Sequence, residues 1–365
     1  MKSESCQRPI PSRIVVRGTN WLGDTIISLP AAKELRRIFS SSMITFWAPA
    51  SLASLVQCAG IADDVISFDR NSGGPVTRPF RMRSVLAAER FDMAVLFQNA
   101  FESAFTAWLA RIGIRAGYPT DLRGPLLNLK VPQPPNIRAK HQVFYYLGIT
   151  AFLESHFRCE AHSPDGMPDC SIPVTQETLE KAGQLLALHG AYVTRPIVAL
   201  CPGSVNSEAK RWPADYFARL ADLLAELEQT QVVFLGAPEE KGLIEGVIAQ
   251  MNSTGAANLA GVADMVTSLG VMHLSNLVIS NDTGSAHLAV AASATVLTIF
   301  GPTSAAATAP YGPRAHIIQG EAPCAPCRHF RCPVQGHPCM RSITPGTVLR
   351  KLDEIRQSGL SREAG

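Results

Sequence analysis

Short apolar runs alternate with longer stretches of helical spacing along most of the chain. In the first half Arg13–Arg17, Met43–Ala48, Asp64–Phe68 and Asp92–Phe97 read as strands, rich in β-branched and aromatic residues. Between the first two, Ile26, Leu29, Ala32, Leu35 and Ile38 recur at helical spacing over Asp24–Phe39. Pro30 falls inside that stretch and predicts either a kink or the helix's true start. Further helices are expected near 51–58, 79–90 and 101–111. Strand and helix in alternation predict a parallel, doubly wound sheet. Residues 119–140 break the pattern: they are rich in proline and arginine and have no period. A loop contacting substrate and a plain connector fit that stretch equally well. A helix near 140–155 closes the half.

Residues 160–175 carry three prolines in a polar setting and read as a linker. The alternation then resumes. Pro196–Leu200, Gln231–Gly236, Leu277–Ser280 and Thr295–Gly301 read as strands. Thr178–His189, Pro213 to about Leu227, Glu239–Met251, Ala263–Ser275, Ser285–Ala292 and 344–358 read as helices. The expected fold is α/β: two Rossmann-like domains, 1–172 and 173–345, whose parallel sheets face a central cleft. In such sheets ligands bind beyond the carboxyl ends of the strands.

The chain's 365 residues are too many for one ordinary core, and 46% hydrophobic against 17% charged residues marks a globular protein. A net charge of +3 is too small to argue for nucleic acid. No apolar run is long enough to span a bilayer, and the polar start MKSESCQRPIPSR lacks the apolar core of a signal peptide. A cytoplasmic location is therefore expected, with the nine cysteines mostly reduced thiols or metal ligands. Basic residues gather locally, as Lys33-Arg36-Arg37 and Arg78-Arg81-Arg83. Such groups are usually solvated helix faces and less often docking surfaces for anionic lipid or a polyanion.

The most informative stretch is Leu277–Leu288, LVISNDTGSAHL. A strand runs into Asn281-Asp282-Thr283-Gly284, and a helix follows. Unpaired N–H groups and the helix dipole make its first turn an anion site, and Gly284 admits a phosphate close to the backbone. His287 falls about one turn further on. The same residues are also compatible with an ordinary N-cap. Two more polar loops follow strands: Gly203–Trp212 (GSVNSEAKRW) and Gly236–Glu240 (GAPEE). They add Ser204, Lys210 and the carboxylates Glu239 and Glu240. A lysine with a helix N-terminus suits a diphosphate, and a carboxylate suits ribose hydroxyls. There is no G-x-G-x-x-G after either first strand and no Walker lysine loop, which argues against dehydrogenases and NTPases. In the first half Asp24 stands at a strand-to-helix turn, either as a general base or as a helix cap. Cys324, Cys327, Cys332 and Cys339 form C-x2-C-x4-C-x6-C, compatible with zinc, disulfides or packed thiols, and His329 and His337 lie within it.

In combination, Gly23-Asp24, Pro202-Gly203, Lys210-Arg211-Trp212-Pro213 and Asp282-Thr283-Gly284 with His287 resemble glycosyltransferase family 9. This is the ADP-heptose:lipopolysaccharide heptosyltransferase family. The Asn20–Asp24 loop and the cysteine-rich stretch look closest to its heptosyltransferase II branch. The resemblance implies a GT-B fold and a cytoplasmic, monomeric enzyme of Gram-negative lipopolysaccharide core synthesis, peripheral on the inner membrane. It implies inverting transfer of heptose from ADP-heptose to a lipid A–Kdo–heptose glycolipid, with no metal or other cofactor required. Asp24 falls on the family's base, Lys210 on its phosphate-binding lysine, and Glu240 or Glu239 on the acid at the nucleoside. Ser204, Val262, Asp282, Thr283, Gly284 and His287 fall on the nucleotide-sugar site. Threonines often stand where this chain has Ser204, Val205 and Asn206. Asn20, Trp21, Arg123 and Lys140 are implied acceptor contacts, and Arg78, Arg81, Arg83 and Arg138 are further basic candidates. The resemblance also implies that residues 346–365 form a helix crossing back onto the N-terminal domain. Transfer from another nucleotide sugar, or nucleotide-sugar epimerisation, would use the same elements.

Overall fold

The computed structural model describes residues 8–363 except 71–73, 75–76, 160–165, 206, 228–229 and 328. Asn206, the side chain of Arg138 and part of the expected linker thus lie outside the described residues. The chain divides into two compact units at Cys170 and Ser171.

The first unit is a six-stranded, all-parallel sheet of β1 (Arg13–Arg17), β2 (Met43–Pro49), β3 (Asp64–Phe68), β4 (Met93–Leu96), β5 (Ile114–Gly117) and β6 (Leu129–Lys130). The strands lie in the order β3-β2-β1-β4-β5-β6. Its helices are α1 (Leu22–Ile38), α2 (Ala50–Cys58), α3 (Thr77–Ala88), α4 (Phe101–Leu109) and α5 (Gln142–Arg158). Ile14, Val15 and Val16 of β1 are all buried, as a central parallel strand requires. Helix α1 packs on α5, and α3 packs on α4. Pro30 does not start α1; the helix begins well before it and runs through. Pro30 lacks the N–H that would reach the Ile26 carbonyl. Burial of Ile26, Ile27, Leu29, Ala31, Ala32 and Leu35 holds the helix together across that gap.

The second unit repeats the winding. Its strands are β7 (Ile197–Cys201), β8 (Gln231–Phe234), β9 (Ala257–Asn258), β10 (Leu277–Asn281), β11 (Val296–Phe300) and β12 (Ala315–Gln319), all parallel, in the order β12-β11-β10-β7-β8-β9. Its helices are α6 (Gln176–Leu188), α7 (Ala214–Ala225), α8 (Lys241–Ile248), α9 (Met265–Leu274), α10 (Gly284–Ala291), α11 (Ala305–Thr308), α12 (Pro338–Arg341) and α13 (Pro345–Glu363). Helix α13 lies against α7 and β12, and its Val348 and Leu352 join this unit's core. Among the described residues no helix is long and apolar enough to cross a membrane.

Both sheets reverse direction at one place: between β1 and β4 in the first, between β7 and β10 in the second. Crossovers leave in opposite senses there, so the loops beyond those carboxyl ends part and leave a crevice.

Candidate active site

In the second unit the loops after β7 and β10 meet because the strands are neighbours, with Leu200 opposite Ile279 and Cys201 opposite Ser280. Asn281, fully buried at the end of β10, ties them together. Its Nδ2 donates to the Pro202 carbonyl at 2.7 Å and its Oδ1 accepts from the Trp212 N–H at 3.0 Å. The next residue, Asp282, accepts from Lys210 Nζ at 2.7 Å and from the Thr303 hydroxyl at 2.6 Å. Thr283 is the extended N-cap of α10, so Gly284 and Ser285 form its first turn. Lys210 therefore stands beside a helix N-terminus at the reversal of the sheet. Both are positive, and together they suit a diphosphate. His287 is buried on the same helix. Arg211 donates to the Ser204 carbonyl at 3.0 Å and so shapes the loop from inside.

The turn that carries Lys210 is held from its far side by the cysteine-bearing loop. The Ala209 N–H donates to the Phe330 carbonyl at 3.0 Å, and His337 Nε2 donates to the Ala209 carbonyl at 2.8 Å. Cys324, Cys327, Cys332 and Cys339 are free thiols. Burial raises the Cys339 thiol above its ordinary value, and the nearby Cys332, Cys324 and Cys327 add to that. Among the described residues no three His, Cys, Asp or Glu side chains gather as a metal site.

Glu240 is buried and Glu239 exposed, so these adjacent acids have different surroundings. Glu240 Oε2 accepts from the Ala237 N–H at 2.9 Å. Burial raises its carboxyl, against the opposing effect of that hydrogen bond and of Arg211. The carboxylate lies over Gly203, where a β-carbon would come within 2.0 Å of Oε1. Glycine at 203 thus admits the acid to the loop after β7. Val262 is half exposed beside the end of β8, where Gly261 N–H donates to the Gly236 carbonyl at 3.0 Å.

In the first unit the loop after β1 is clamped by two arginines. Arg17 is buried between Trp47 and Phe68, 4.8 and 4.7 Å from their ring centres. It donates to Asn20 Oδ1 at 2.6 Å and to the Gly18 carbonyl. Burial lowers its pKa to about 9, which leaves it charged at neutral pH. Arg70 stacks 4.0 Å over the Trp21 ring and donates to the Asn20 carbonyl at 3.1 Å. Asp24 follows in the first turn of α1. Gln142 Nε2 lies 3.4 Å from its Oδ1 and 3.2 Å from the Tyr146 hydroxyl. Burial, and then the Asp24 carboxylate, push the Tyr146 phenol well above its ordinary value, so it stays protonated while accepting from Gln142.

Arg123 is fully buried. It donates to the Tyr118 carbonyl at 2.8 Å, to Asn99 Oδ1 at 2.9 Å and to the Gln98 carbonyl. Its donors hold the 118–123 loop to the end of β4, so in this conformation it is an internal strut and not a surface for an acceptor. Lys140 is exposed and lines a groove of about 630 Å³ with Glu34, Pro134 and Phe144. Sequence patterns gave no sign of Arg70 or Thr303, marked Asn281 only as part of the polar run after its strand, and passed over Arg17. A charged residue ending an apolar strand, as Arg17 does, was the one usable signal.

The description "Glycosyltransferase family 9 (heptosyltransferase)" matches residues 80–337, most of the chain. The lipooligosaccharide heptosyltransferase 2 of Haemophilus ducreyi is 25% identical over 355 residues, covering 94% of this chain and 99% of that relative. The E. coli ADP-heptose LPS heptosyltransferase II superposes with a TM-score of 0.78 at 22% identity, over 97% of this chain and 100% of that one. An E. coli heptosyltransferase solved with ADP superposes with a TM-score of 0.70 at 18% identity, over 94% and 99%. The repeated 3-2-1-4-5-6 winding and the site at the sheet reversal agree with these likenesses: the chain belongs to glycosyltransferase family 9 and is a glycosyltransferase.

Proposed function

We propose that this enzyme transfers heptose from ADP-heptose to the inner core of a lipopolysaccharide precursor, a lipid A–Kdo–heptose glycolipid, with inversion at the anomeric carbon. The observation that carries the reading is the Lys210–Asp282 pair at the N-terminus of α10, where the second sheet reverses. That arrangement suits the diphosphate of a nucleotide sugar, and the related E. coli enzyme solved with ADP supports adenine as the base. On donor binding Lys210 turns from Asp282 to a phosphate oxygen, and the first N–H groups of α10 take another. Glu240 and Val262 meet the nucleoside, and His287 supports the diphosphate turn. Ser204 contributes from the loop after β7.

In the first unit Asp24 accepts the proton of the acceptor hydroxyl as that oxygen attacks the anomeric carbon. The bond from that carbon to the phosphate oxygen breaks on the opposite face, and ADP carries away the electron pair. Lys210 and the helix N-terminus meet the growing charge on the diphosphate. One displacement inverts the centre without a covalent intermediate. Asn20, Trp21 and Lys140 are the acceptor contacts, and Arg123 acts on them only through its loop.

Incubating the enzyme with ADP-heptose and a series of truncated lipopolysaccharide acceptors, with mass spectrometry of the products, tests the substrate. Heptose added to no acceptor would sink it. Asp24→Asn tests the mechanism: turnover should fall roughly 10²–10⁴-fold, while calorimetry finds ADP affinity within a few fold of wild type. Near-normal turnover would remove Asp24 from the base role.

A further inference from the structure

One buried carboxylate at the nucleotide site has two donors on a single oxygen. Asp282 Oδ2 accepts from Lys210 Nζ at 2.7 Å and from the Thr303 hydroxyl at 2.6 Å. Asp282 is 4% exposed, while Lys210 and Thr303 are half-buried. A carboxylate only accepts, so both neighbours donate to it. The two donors differ in their freedom. Lys210 carries its charge on a long flexible stem at the end of a short turn, Glu208–Lys210. Thr303 has a short side chain on a fixed loop.

That loop is fixed from three directions. Strands β10 and β11 are neighbours, with Asn281 opposite Ile299, so the loops that follow them leave side by side. The Asp282 N–H still donates to the Ile299 carbonyl at 3.2 Å. The loop after β11 is Gly301-Pro302-Thr303. Its glycine lies on the core, where a β-carbon would run into Met340 Sδ. Gln319 Nε2 donates to the Gly301 carbonyl at 3.2 Å. Pro302 has its φ set by its ring, and Ser304 is already the N-cap of α11. The Thr303 hydroxyl is therefore held at Asp282 by backbone that does not depend on the lysine.

On the reading that a diphosphate draws Lys210 away, Asp282 stays behind, charged and buried. Taking the partner from a buried charge is strongly unfavourable unless another donor remains. Among the described residues Thr303 is the other side chain that donates to Asp282. We infer that Thr303 is a positioning residue for donor binding: its hydroxyl keeps hold of the Asp282 carboxylate when the diphosphate takes Lys210, so that releasing the lysine does not strand a buried charge. Thr303 acts through Asp282 and Lys210, and its contribution exists only because the lysine has two partners to choose between.

Calorimetry with ADP on the full chain tests this. Thr303→Val keeps the side chain's shape, removes the donor and leaves a water no room in its place. It should weaken ADP binding about tenfold, within the worth of a hydrogen bond to a charged group. Thr303→Ser keeps the hydroxyl and should stay within about threefold of wild type. In a Lys210→Ala background Asp282 has the same partners with and without ADP. There Thr303→Val should change ADP affinity less than about twofold, as independent sites do not. A full tenfold loss in that background would overturn the inference, by giving Thr303 a merely structural role. So would loss of ADP binding in Thr303→Ser. Unchanged affinity in Thr303→Val, while Lys210→Ala alone weakens binding, would overturn the inference and leave the diphosphate reading standing. Unchanged affinity in Lys210→Ala would sink both, since no lysine would then be drawn away.

Discussion

Gly203→Ala offers a sharp test of how the nucleotide site is built. The backbone of Gly203 lies outside the left-handed region, so alanine meets no conformational penalty there. The cost is steric. The new methyl would lie 2.0 Å from Oε1, 2.1 Å from Cδ and 2.4 Å from Oε2 of Glu240. Ordinary contact needs well over 3 Å, so the carboxylate must withdraw by about 1 Å or more. Glu240 is buried and has little room to do so. Moving it breaks the 2.9 Å bond from the Ala237 N–H. Overpacking costs about 1–3 kcal/mol, and a hydrogen bond to a charged group contributes about 1.5–3 kcal/mol. Partial relaxation leaves an expected loss of about 2–4 kcal/mol. Hydrogen exchange of the β7 and β8 amides would read this, because it reports the second unit and not the whole chain. The decisive comparison is the same substitution in a Glu240→Ala background. With the carboxylate gone, Gly203→Ala should cost less than about 1 kcal/mol, a coupling of at least about 1–2 kcal/mol between the positions. Equal losses in the two backgrounds would refute the claim that glycine is there to admit Glu240. No loss in either would refute the packing itself.

Two further outcomes follow from the same geometry. Lys210→Ala should weaken ADP binding by about 1.5–3 kcal/mol, the worth of a hydrogen bond to a charged group; calorimetry checks it, and unchanged affinity would mean the lysine serves only Asp282. Asp222 is buried and accepts from Asn252 and Ser253 through backbone and side-chain donors at 2.7–3.1 Å. Burial opposes its charge, yet those hydrogen bonds outweigh burial and hold the carboxyl below its ordinary value. A depressed carboxyl stabilises the fold above the unfolded pKa, near 3.9, and that contribution is lost as pH falls through the lower folded value. Asp222→Asn should therefore flatten the acid limb of the second unit's stability below about pH 4. An unchanged limb in urea unfolding across pH 2–6 would refute it.

The periodicity of the chain determined the class of fold, because the central strands are buried on both faces and leave continuous apolar runs. Arg13–Arg17 and Asp64–Phe68 carry their observed bounds in their composition alone. The polar runs that end β7 and β10, and the alternation that makes the sheets parallel, were equally legible. The strands without a signal were β5, β6, β9 and β12, at or next to sheet edges. Ala257–Asn258 and Leu129–Lys130 are only two residues each, and their pairing partners, not their own composition, make them strands. Site chemistry divides in the same way. Residue types following a strand announced Lys210, Asp282 and Glu240, but the ion pair between Lys210 and Asp282 depends on β7 and β10 lying side by side. Whether Arg123 faces water or backbone carbonyls was likewise decided in three dimensions. A long cationic side chain reaches either way, and only the folded loop supplies the three acceptors that hold it inside. Local pattern determines what a segment is able to become; contacts between residues distant in sequence decide which groups share one site.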